Sequence, residues 1–209
     1  RKMSSYGQLM CDRLVQELKE AVPDVTIVSG LAYGVDGACH RAALAHGATT
    51  VAVLANALPK MSPSAHERMA AEMISRGGAV VSELSSQSKQ NGQYFIPRNR
   101  LIAGMSAGTV VVESPESGGS LSTAAFADGY NRTVMALPGR VTDGNSRGCN
   151  ALIRNRKAQI VLSGRDIARE LMWDLGLETI EEPRREPLPL NDDESSLLAL
   201  FDSEPISID

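Results

Sequence analysis

Aromatic side chains are scarce in this chain of 209 residues, of which phenylalanine, tyrosine and tryptophan make up 4%. A binding surface built mainly from stacked rings is therefore not expected. Cys11, Cys39 and Cys149 are widely spaced and form no Cys-x-x-Cys pair, which excludes a disulfide framework and a zinc site of that pattern. The cysteines indicate reduced thiols and a cytoplasmic location. The three histidines add no metal-ligand spacing, so we expect no metal and no cofactor.

Long apolar runs and an excess of positive charge are also absent. No stretch approaches about 18 consecutive apolar residues, so no membrane-spanning helix is predicted. Residues 1–5 lead into a mixed amphipathic segment, without the apolar region of a signal peptide. The formal net charge is −4. For the chain as a whole, this value argues against nucleic-acid binding, which needs a basic surface.

The charge is unevenly distributed, however. Residues 178–209 hold ten acids and two bases, a net charge of −8, whereas residues 1–177 hold 15 acids and 19 bases, a net charge of +4. Residues 98–169 hold ten bases and five acids, a net charge of +5. Because local charge decides which partner meets which surface, residues 1–177 remain compatible with binding a polyanion.

Short apolar runs alternate with segments of helical periodicity along residues 1–175. Continuous apolar runs indicate parallel strands that are covered on both faces. The predicted fold is α/β, a doubly wound and mainly parallel sheet whose ligands bind at the carboxyl ends of the strands. The predicted strands are 25–28, 49–54, 79–82, 109–113, 133–137 and 159–162. The predicted helices are 6–21, 38–46, 64–76, 120–131, 148–155 and 164–175, and residues 96–105 are predicted as a loop that runs into a short helix.

Composition divides the chain into three parts. Residues 1–175 form the predicted domain, and residues 176–190 have the proline and charge content of a linker. Residues 191–209 begin with a helix N-cap pattern followed by a short helix, which cannot bury its own apolar face. We therefore expect the start of a truncated module there. The helix that follows Arg1 almost directly also indicates that the first strand of the domain is missing.

Two glycine-rich segments follow predicted strands. Gly30, Gly34 and Gly37 follow the first strand and lack the Gly-x-Gly-x-x-Gly spacing, so they fit either a phosphate loop or a tight turn. Gly118, Gly119 and then hydroxyl residues from Ser120 onward follow the fourth strand. This second segment fits either a phosphate cradle or a capped helix with a glycine hinge. No lysine follows it, which excludes the P-loop of nucleotide hydrolases.

The motif Arg98-Asn99-Arg100 is the sharpest local feature of the sequence. Each arginine can form a fork on a phosphate, and Asn99 can reach a phosphate or a base edge. The alternative is solvated charge at a helix start, where arginine opposes the helix dipole. Arg140 belongs to a further group of basic residues that follow the fifth predicted strand.

Catalytic patterns are weak. Asp36 and His40 lie four positions apart on one predicted helix, which suits either a catalytic dyad or a surface pair. Cys149 lies at a predicted helix start, which lowers a thiol pKa, but it also suits a small buried apolar position. No catalytic residue is predicted.

Several of these motifs, in this order, resemble the DNA-processing protein A family (DprA, also called Smf). The resemblance covers nearly all of residues 1–173 and rests on the segments 28–41, 80–83, 95–106, 111–113, 119–124, 136–139 and 148–153. It implies an extended Rossmann-like domain that binds single-stranded DNA in a basic pocket at the strand carboxyl ends. It also implies a non-enzymatic homodimer that protects incoming DNA and loads the RecA recombinase in natural transformation.

The resemblance also assigns residues. Arg1 matches the arginine of a Gly-Ser/Thr-Arg motif, and Asn150 belongs to a Gly-x-Asn motif. Residues 195–209 resemble the opening of a winged-helix module. With the residues singled out above, the candidate DNA or phosphate ligands are Arg1, Gly30, Gly34, Arg98, Asn99, Arg100, Gly118, Gly119, Ser120, Arg140 and Asn150.

A rival interpretation is a nucleotide-processing enzyme similar to the lysine-decarboxylase-like phosphoribohydrolases. That family has a Pro-Gly-Gly-x-Gly-Thr loop with a glutamate a few residues later. Here Gly118 and Gly119 lead into Ser120, and no acid follows before Asp128. A weaker third alternative is a plain nucleotide-binding regulator.

Overall fold

The structure, a computed structural model, describes residues 3–89 and 91–173. Within these residues the chain forms six short strands and seven α-helices that alternate along the sequence. The strands are β1 (Thr26–Ser29), β2 (Thr49–Val53), β3 (Ala79–Val81), β4 (Gly108–Val111), β5 (Thr133–Ala136) and β6 (Gln159–Ile160). The helices are α1 (Ser5–Ala21), α2 (Val35–Ala45), α3 (Glu67–Ser75), α4 (Phe95–Met105), α5 (Ser120–Gly129), α6 (Arg147–Arg154) and α7 (Gly164–Glu170).

The strands form two parallel sheets of three strands each, in the orders β1-β2-β3 and β4-β5-β6. Val51 of β2 is in register with Val28 of β1 and with Ala79 of β3. In the second sheet, Met135 of β5 is in register with Val110 of β4. The α/β class and the parallel strands predicted from the sequence are confirmed. Because the strands of each sheet run the same way, the loops that follow them lie at one edge, here called the carboxyl edge of that sheet.

Helix α1 organises the largest part of the core. Its buried residues Met10, Leu14 and Leu18 belong to one apolar cluster with Met135 of β5 and Ile167 of α7. The spacing of these α1 residues is that of one helical face, which explains why the segment folds as a helix against the sheets. Helix α1 packs against both α2 and α7. The first described helix and the last one are therefore direct neighbours.

Several element boundaries differ from the sequence prediction. The predicted helix 64–76 begins with a 3₁₀ turn, Ser64–His66, before α3 starts. The segment predicted as a loop running into a short helix is helical from Phe95 onward, and Met105 at the end of this helix is 52% exposed. Predictions for Arg1 and for residues 176–209 lie outside the described residues. Among the described helices, none is both long and apolar enough to span a membrane.

Candidate functional site

Arg98 is buried at the carboxyl ends of β1 and β2, with 4% of its surface exposed. Its Nη1 donates hydrogen bonds to the carbonyl oxygens of Gly30, at 2.8 Å, and Val53. Burial lowers the pKa of the Arg98 guanidinium, and the nearby Asp36 carboxylate opposes this effect. The guanidinium therefore ties α4 to the carboxyl edge of the first sheet. Its role as a phosphate ligand stays a prediction.

The other two side chains of the motif also have partners inside the protein. Asn99 donates from Nδ2 to the carbonyl oxygen of Gly119, at 3.2 Å, and to Ser122 Oγ, at 2.9 Å. Arg100 is exposed and forms an ion pair with Glu83, in the loop after β3. Arg98 and Arg100 lie at a helix start, which is unfavourable for a positive charge. The acceptors of Arg98 and the Glu83 carboxylate offset this effect. Arg100 remains accessible enough to exchange Glu83 for a phosphate.

The Asp36 carboxylate and the Arg98 guanidinium both bind the backbone of the loop after β1. The Asp36 carboxylate accepts hydrogen bonds from Ser29 Oγ, at 2.9 Å, and from the Ala32 amide, at 3.1 Å. A Cβ added at Gly30 would lie 2.5 Å from Arg98 Nη2 and 2.6 Å from Asp36 Oδ2. Any larger residue here would force the Arg98 or the Asp36 side chain to shift. Because Asp36 already lies in the first turn of α2, this helix start is a poor anion site.

An exposed aromatic ring stands beside this loop. Leu31 and Gly34 have φ angles of 59° and 93°, so the chain turns tightly between them. The carbonyl oxygen of Leu31 lies 2.8 Å from His66 Nδ1, and this contact fixes the imidazole. The ring of Tyr33 meets the His66 ring edge-on, with centroids 5.1 Å apart, and Tyr33 is 59% exposed. One face of the Tyr33 ring is therefore open at the carboxyl edge.

The loop after β4 also presents unpaired amides, but within the described residues no carboxylate accepts a hydrogen bond from its backbone. The amide of Gly118 donates to the carbonyl oxygen of Pro115, and the amide of Leu121 donates to that of Gly118. The amides of Gly119 and Ser120 have no hydrogen-bond partner within the described residues. They stand at the start of the ten-residue helix α5. Free amides at a helix N-terminus attract an anion, so this loop has the better geometry for holding a phosphate.

Asn150 fixes the loop after β5. Its Nδ2 donates to the Gly139 carbonyl oxygen at 2.9 Å, and its Oδ1 accepts from the Gly139 amide at 3.1 Å. Both ends of the side-chain amide are thereby occupied. Arg140, the residue after Gly139, is exposed, and its guanidinium has no partner within the described residues. In this loop, Arg140 is the group available to a ligand, and Asn150 holds the loop in shape.

His40 does not form a dyad with Asp36. Its Nδ1 lies 2.7 Å from Thr50 Oγ1, and Thr50 donates its own hydroxyl proton to the carbonyl oxygen of Ile27. Nδ1 must therefore carry the proton that His40 shares with Thr50. Burial lowers the pKa of His40 to about 4, and its buried Nε2 has no hydrogen-bond partner. The ring is held neutral inside the protein, away from any substrate.

Cys149 is fully buried, and its thiol donates a weak hydrogen bond to the carbonyl oxygen of Val111 at 3.4 Å. Burial raises the pKa of this thiol to about 11. Of its two interpretations, the small buried residue is therefore correct, and Cys149 is no activated nucleophile. In the described part of the chain, no group of three histidine, cysteine, aspartate or glutamate residues could hold a metal ion.

One structural contact beside the site was not predicted from the sequence. The Glu113 carboxylate, just after β4, accepts hydrogen bonds from the amide and the hydroxyl of Ser4, while the Gly7 amide donates to Ser4 Oγ. A carboxylate thus lies at the N-terminus of α1, where it complements the helix dipole. An acid directly after an apolar strand was the only sequence signal for this contact.

The family model for DNA recombination-mediator protein A matches residues 1–172. The chain belongs to this family. The match extends over all the described elements, including both glycine loops and the Arg98-Asn99-Arg100 motif, and it confirms the resemblance found in the sequence.

Curated relatives carry related names. Protein Smf of Escherichia coli is 39% identical over 170 residues, which cover 81% of this chain and 44% of that protein. The DNA processing protein DprA of Streptococcus pneumoniae is 37% identical over 170 residues, which cover 81% of this chain and 58% of that protein. The chain therefore spans about half the length of these members of the family.

Solved structures of DNA processing protein A share the fold. The protein from Streptococcus pneumoniae superposes with a TM-score of 0.72 at 37% identity, covering 80% of this chain and 57% of that one. The protein from Helicobacter pylori, whose structure is described as revealing a single-stranded DNA binding mode, gives 0.71 at 25% identity, covering 82% and 76%. The Rossmann-like fold expected from the sequence is thereby confirmed.

Proposed function

We propose that this member of the family binds single-stranded DNA at the carboxyl edges of its two sheets and delivers the strand to the RecA recombinase. One observation carries the proposal: the free amides of Gly119 and Ser120 meet at a helix start, in a chain whose relative from Helicobacter pylori binds single-stranded DNA. Backbone amides recognise phosphates without reading the bases, which suits a protein that must accept any sequence.

The candidate ligands form two groups: residues that contact a phosphate and residues that shape the site. Gly118, Gly119 and Ser120 form the phosphate cradle, and Arg140 and Arg100 supply mobile charge at its rim. Gly30, Gly34, Arg98, Asn99 and Asn150 shape the edge, with Arg98 and Asn99 linking α4 to both glycine loops. Arg1, which lies outside the described residues, is a further phosphate ligand under this proposal.

The proposal includes a non-enzymatic role, without catalytic residues or a cofactor. The neutral, buried His40 and the buried thiol of Cys149 support it, since neither group is poised to react. It also includes a cytoplasmic homodimer that protects incoming DNA during natural transformation. Membership of a family of recombination mediators supports the recombinase partner.

The phosphoribohydrolase alternative has less support. The acid nearest in sequence to Gly118 is Glu116, on the side of the loop toward β4, and Glu113 is bound at the start of α1. No observation in the described residues favours base cleavage over strand binding.

Titration of the full chain against fluorescently labelled oligothymidine, followed by anisotropy, tests the proposal. We expect binding that weakens between about 50 and 200 mM salt with a slope of about −0.7 per phosphate contacted. Duplex DNA of the same length is the control and should bind more weakly. A nucleation assay with RecA on strands coated by single-strand-binding protein then tests delivery, and sedimentation tests the homodimer.

Two results would contradict the proposal. The first is the absence of strand binding at about 50 mM salt by folded protein. The second is release of free base from nucleoside monophosphates, which would favour the rival enzyme. If the protein binds the strand but does not accelerate RecA nucleation, the proposed strand binding stands and the proposed delivery to RecA is wrong.

A further inference from the structure

Helix α6 carries a basic face whose two arginines, Arg147 and Arg154, are not among the candidate phosphate ligands. This face consists of Arg147, Asn150, Ala151 and Arg154, which together with Glu116 line a shallow pocket of about 280 Å³. Arg147 and Arg154 are seven positions apart, nearly two full turns, so they project from the same side of the helix about 10 Å apart. We call this the α6 face.

The start of α6 is wedged against the loop that contains the phosphate cradle. The amide of Gly148 donates to the carbonyl oxygen of Ser114 at 2.8 Å, and the Ser114 amide donates to that of Asn145 at 2.8 Å. A Cβ at Gly148 would lie 2.7 Å from the carbonyl oxygen of Pro115. The backbone at Arg147 is therefore fixed directly beside the loop that leads to Gly119.

The middle of α6 is fixed as well, by the two hydrogen bonds between Asn150 and Gly139. The helix cannot shift without breaking contacts to both loops. The backbone that carries Arg147 and Arg154 is therefore ordered before any ligand arrives, and only their side chains lose freedom on binding.

Both arginines are exposed, and neither guanidinium has a hydrogen bond or ion pair within residues 3–89 and 91–173. Other arginines near the carboxyl edges differ, because Arg98 is buried on carbonyl oxygens and Arg100 is paired with Glu83. Together with Arg140, whose guanidinium is also free, the two arginines of the α6 face therefore place unpaired positive charge beside the cradle. Glu116 is the one acid that lines the pocket.

We propose that the α6 face is a second phosphate-binding surface, which carries the single strand onward from the cradle at Gly119 and Ser120. This inference rests on the proposed function, and it names the direction in which the strand leaves the site. Each arginine contacts one phosphate through its guanidinium fork, without reading bases. Glu116 weakens the attraction and limits how tightly the strand is held.

The test uses the full chain with labelled oligothymidine and the variants Arg147→Gln, Arg154→Gln and the double variant. We expect each single variant to weaken binding about 5-fold at about 0.1 M salt and to reduce the salt slope by about 0.7, with additive effects. Glu116→Gln should strengthen binding about 2-fold, because it removes a nearby negative charge. Arg147→Lys/Arg154→Lys should keep the salt slope of the wild type.

Arg169→Gln is the matched control, since Arg169 is an exposed arginine on α7 that pairs with Asp166. It should leave both affinity and slope unchanged. If the double variant, folded as judged by circular dichroism, binds like the wild type with the same slope, the inference is wrong while the proposed function stands. If the wild type itself does not bind the strand, the proposed function fails and the α6 face fails with it.

Discussion

Arg98 and Asn99 are neighbours in the sequence, but their side chains hold different sheets. Arg98 donates to the carbonyl oxygens of Gly30 and Val53, at the carboxyl edge of the first sheet. Asn99 donates to the carbonyl oxygen of Gly119, in the loop that follows a strand of the second sheet. The first turns of α4 thus bridge the two sheets where the proposed DNA site lies.

This bridge predicts a large effect of Arg98 on stability. Arg98→Gln leaves two buried carbonyl oxygens unpaired, so we expect the free energy of unfolding to fall by about 2–4 kcal/mol in urea titrations. Arg100→Gln is the control, because its exposed pair with Glu83 is worth less than about 1 kcal/mol. Equal stability of the two variants would show that Arg98 does not hold the sheet edge.

The close approach at Gly30 predicts that even one methyl group is harmful there. In Gly30→Ala, the new Cβ pushes Arg98 and Asp36 away from their partners, and we expect a loss of about 1–3 kcal/mol. Gly92→Ala provides the comparison, since no atom lies within 4 Å of a Cβ at that position. Thermal unfolding should separate the two variants clearly, and a Gly30→Ala protein as stable as Gly92→Ala would argue against the contact.

His40 predicts a specific dependence of stability on pH. Its pKa in the folded protein, about 4, lies below its ordinary value of 6.5, so the unfolded chain binds a proton that the folded chain excludes. The contribution of neutral His40 to the free energy of unfolding is complete above pH 6.5, and it is lost as the pH falls toward 4. Between about pH 7.5 and pH 4.5, the wild type should lose about 2–3 kcal/mol more stability than His40→Phe.

The wild type, measured in parallel at the same pH values, is the reference for this comparison. If His40→Phe and the wild type lose stability in parallel as the pH falls, the ring of His40 is not the group that excludes the proton.

The exposed ring of Tyr33 predicts a contribution to the affinity for single-stranded DNA that does not depend on salt. A base stacked on this ring is worth about 1–3 kcal/mol, so Tyr33→Leu should weaken strand binding by about 5- to 150-fold with an unaltered salt slope. Tyr130→Leu is the matched control, since Tyr130 is also exposed and also contacts a ring, that of Phe126 on α5. Unchanged affinity of Tyr33→Leu would mean that the ring only packs against His66.

The sequence predicted the strands well because they are continuous apolar runs, such as Val51–Val53 in β2. It also predicted that the glycine loops lie at strand carboxyl ends. It could not predict what Arg98 contacts, since its partners Gly30 and Val53 lie 68 and 45 residues away. A charged residue at a helix start is ordinarily solvated, and only the tertiary structure shows this one buried.

The same limit applies to the choice between the two glycine loops. By pattern, the loop at Gly30 and the loop at Gly118 are both candidates for a phosphate. Their difference comes from Asp36, whose carboxylate turns back onto the first loop, whereas no carboxylate in the described residues accepts from the amides of the second loop. These are facts about distance and direction, which residue spacing alone does not contain.

The contact between α1 and α7 has a consequence for synthesis on the ribosome. The Gly164 amide donates to the carboxylate of Glu17, a residue 147 positions earlier in the chain. At about 5–20 residues per second, the apolar face of α1 waits roughly 7–30 s before its final partner has been made. During this interval the nascent helix exposes Met10, Leu14 and Leu18, which makes it a natural target for chaperones.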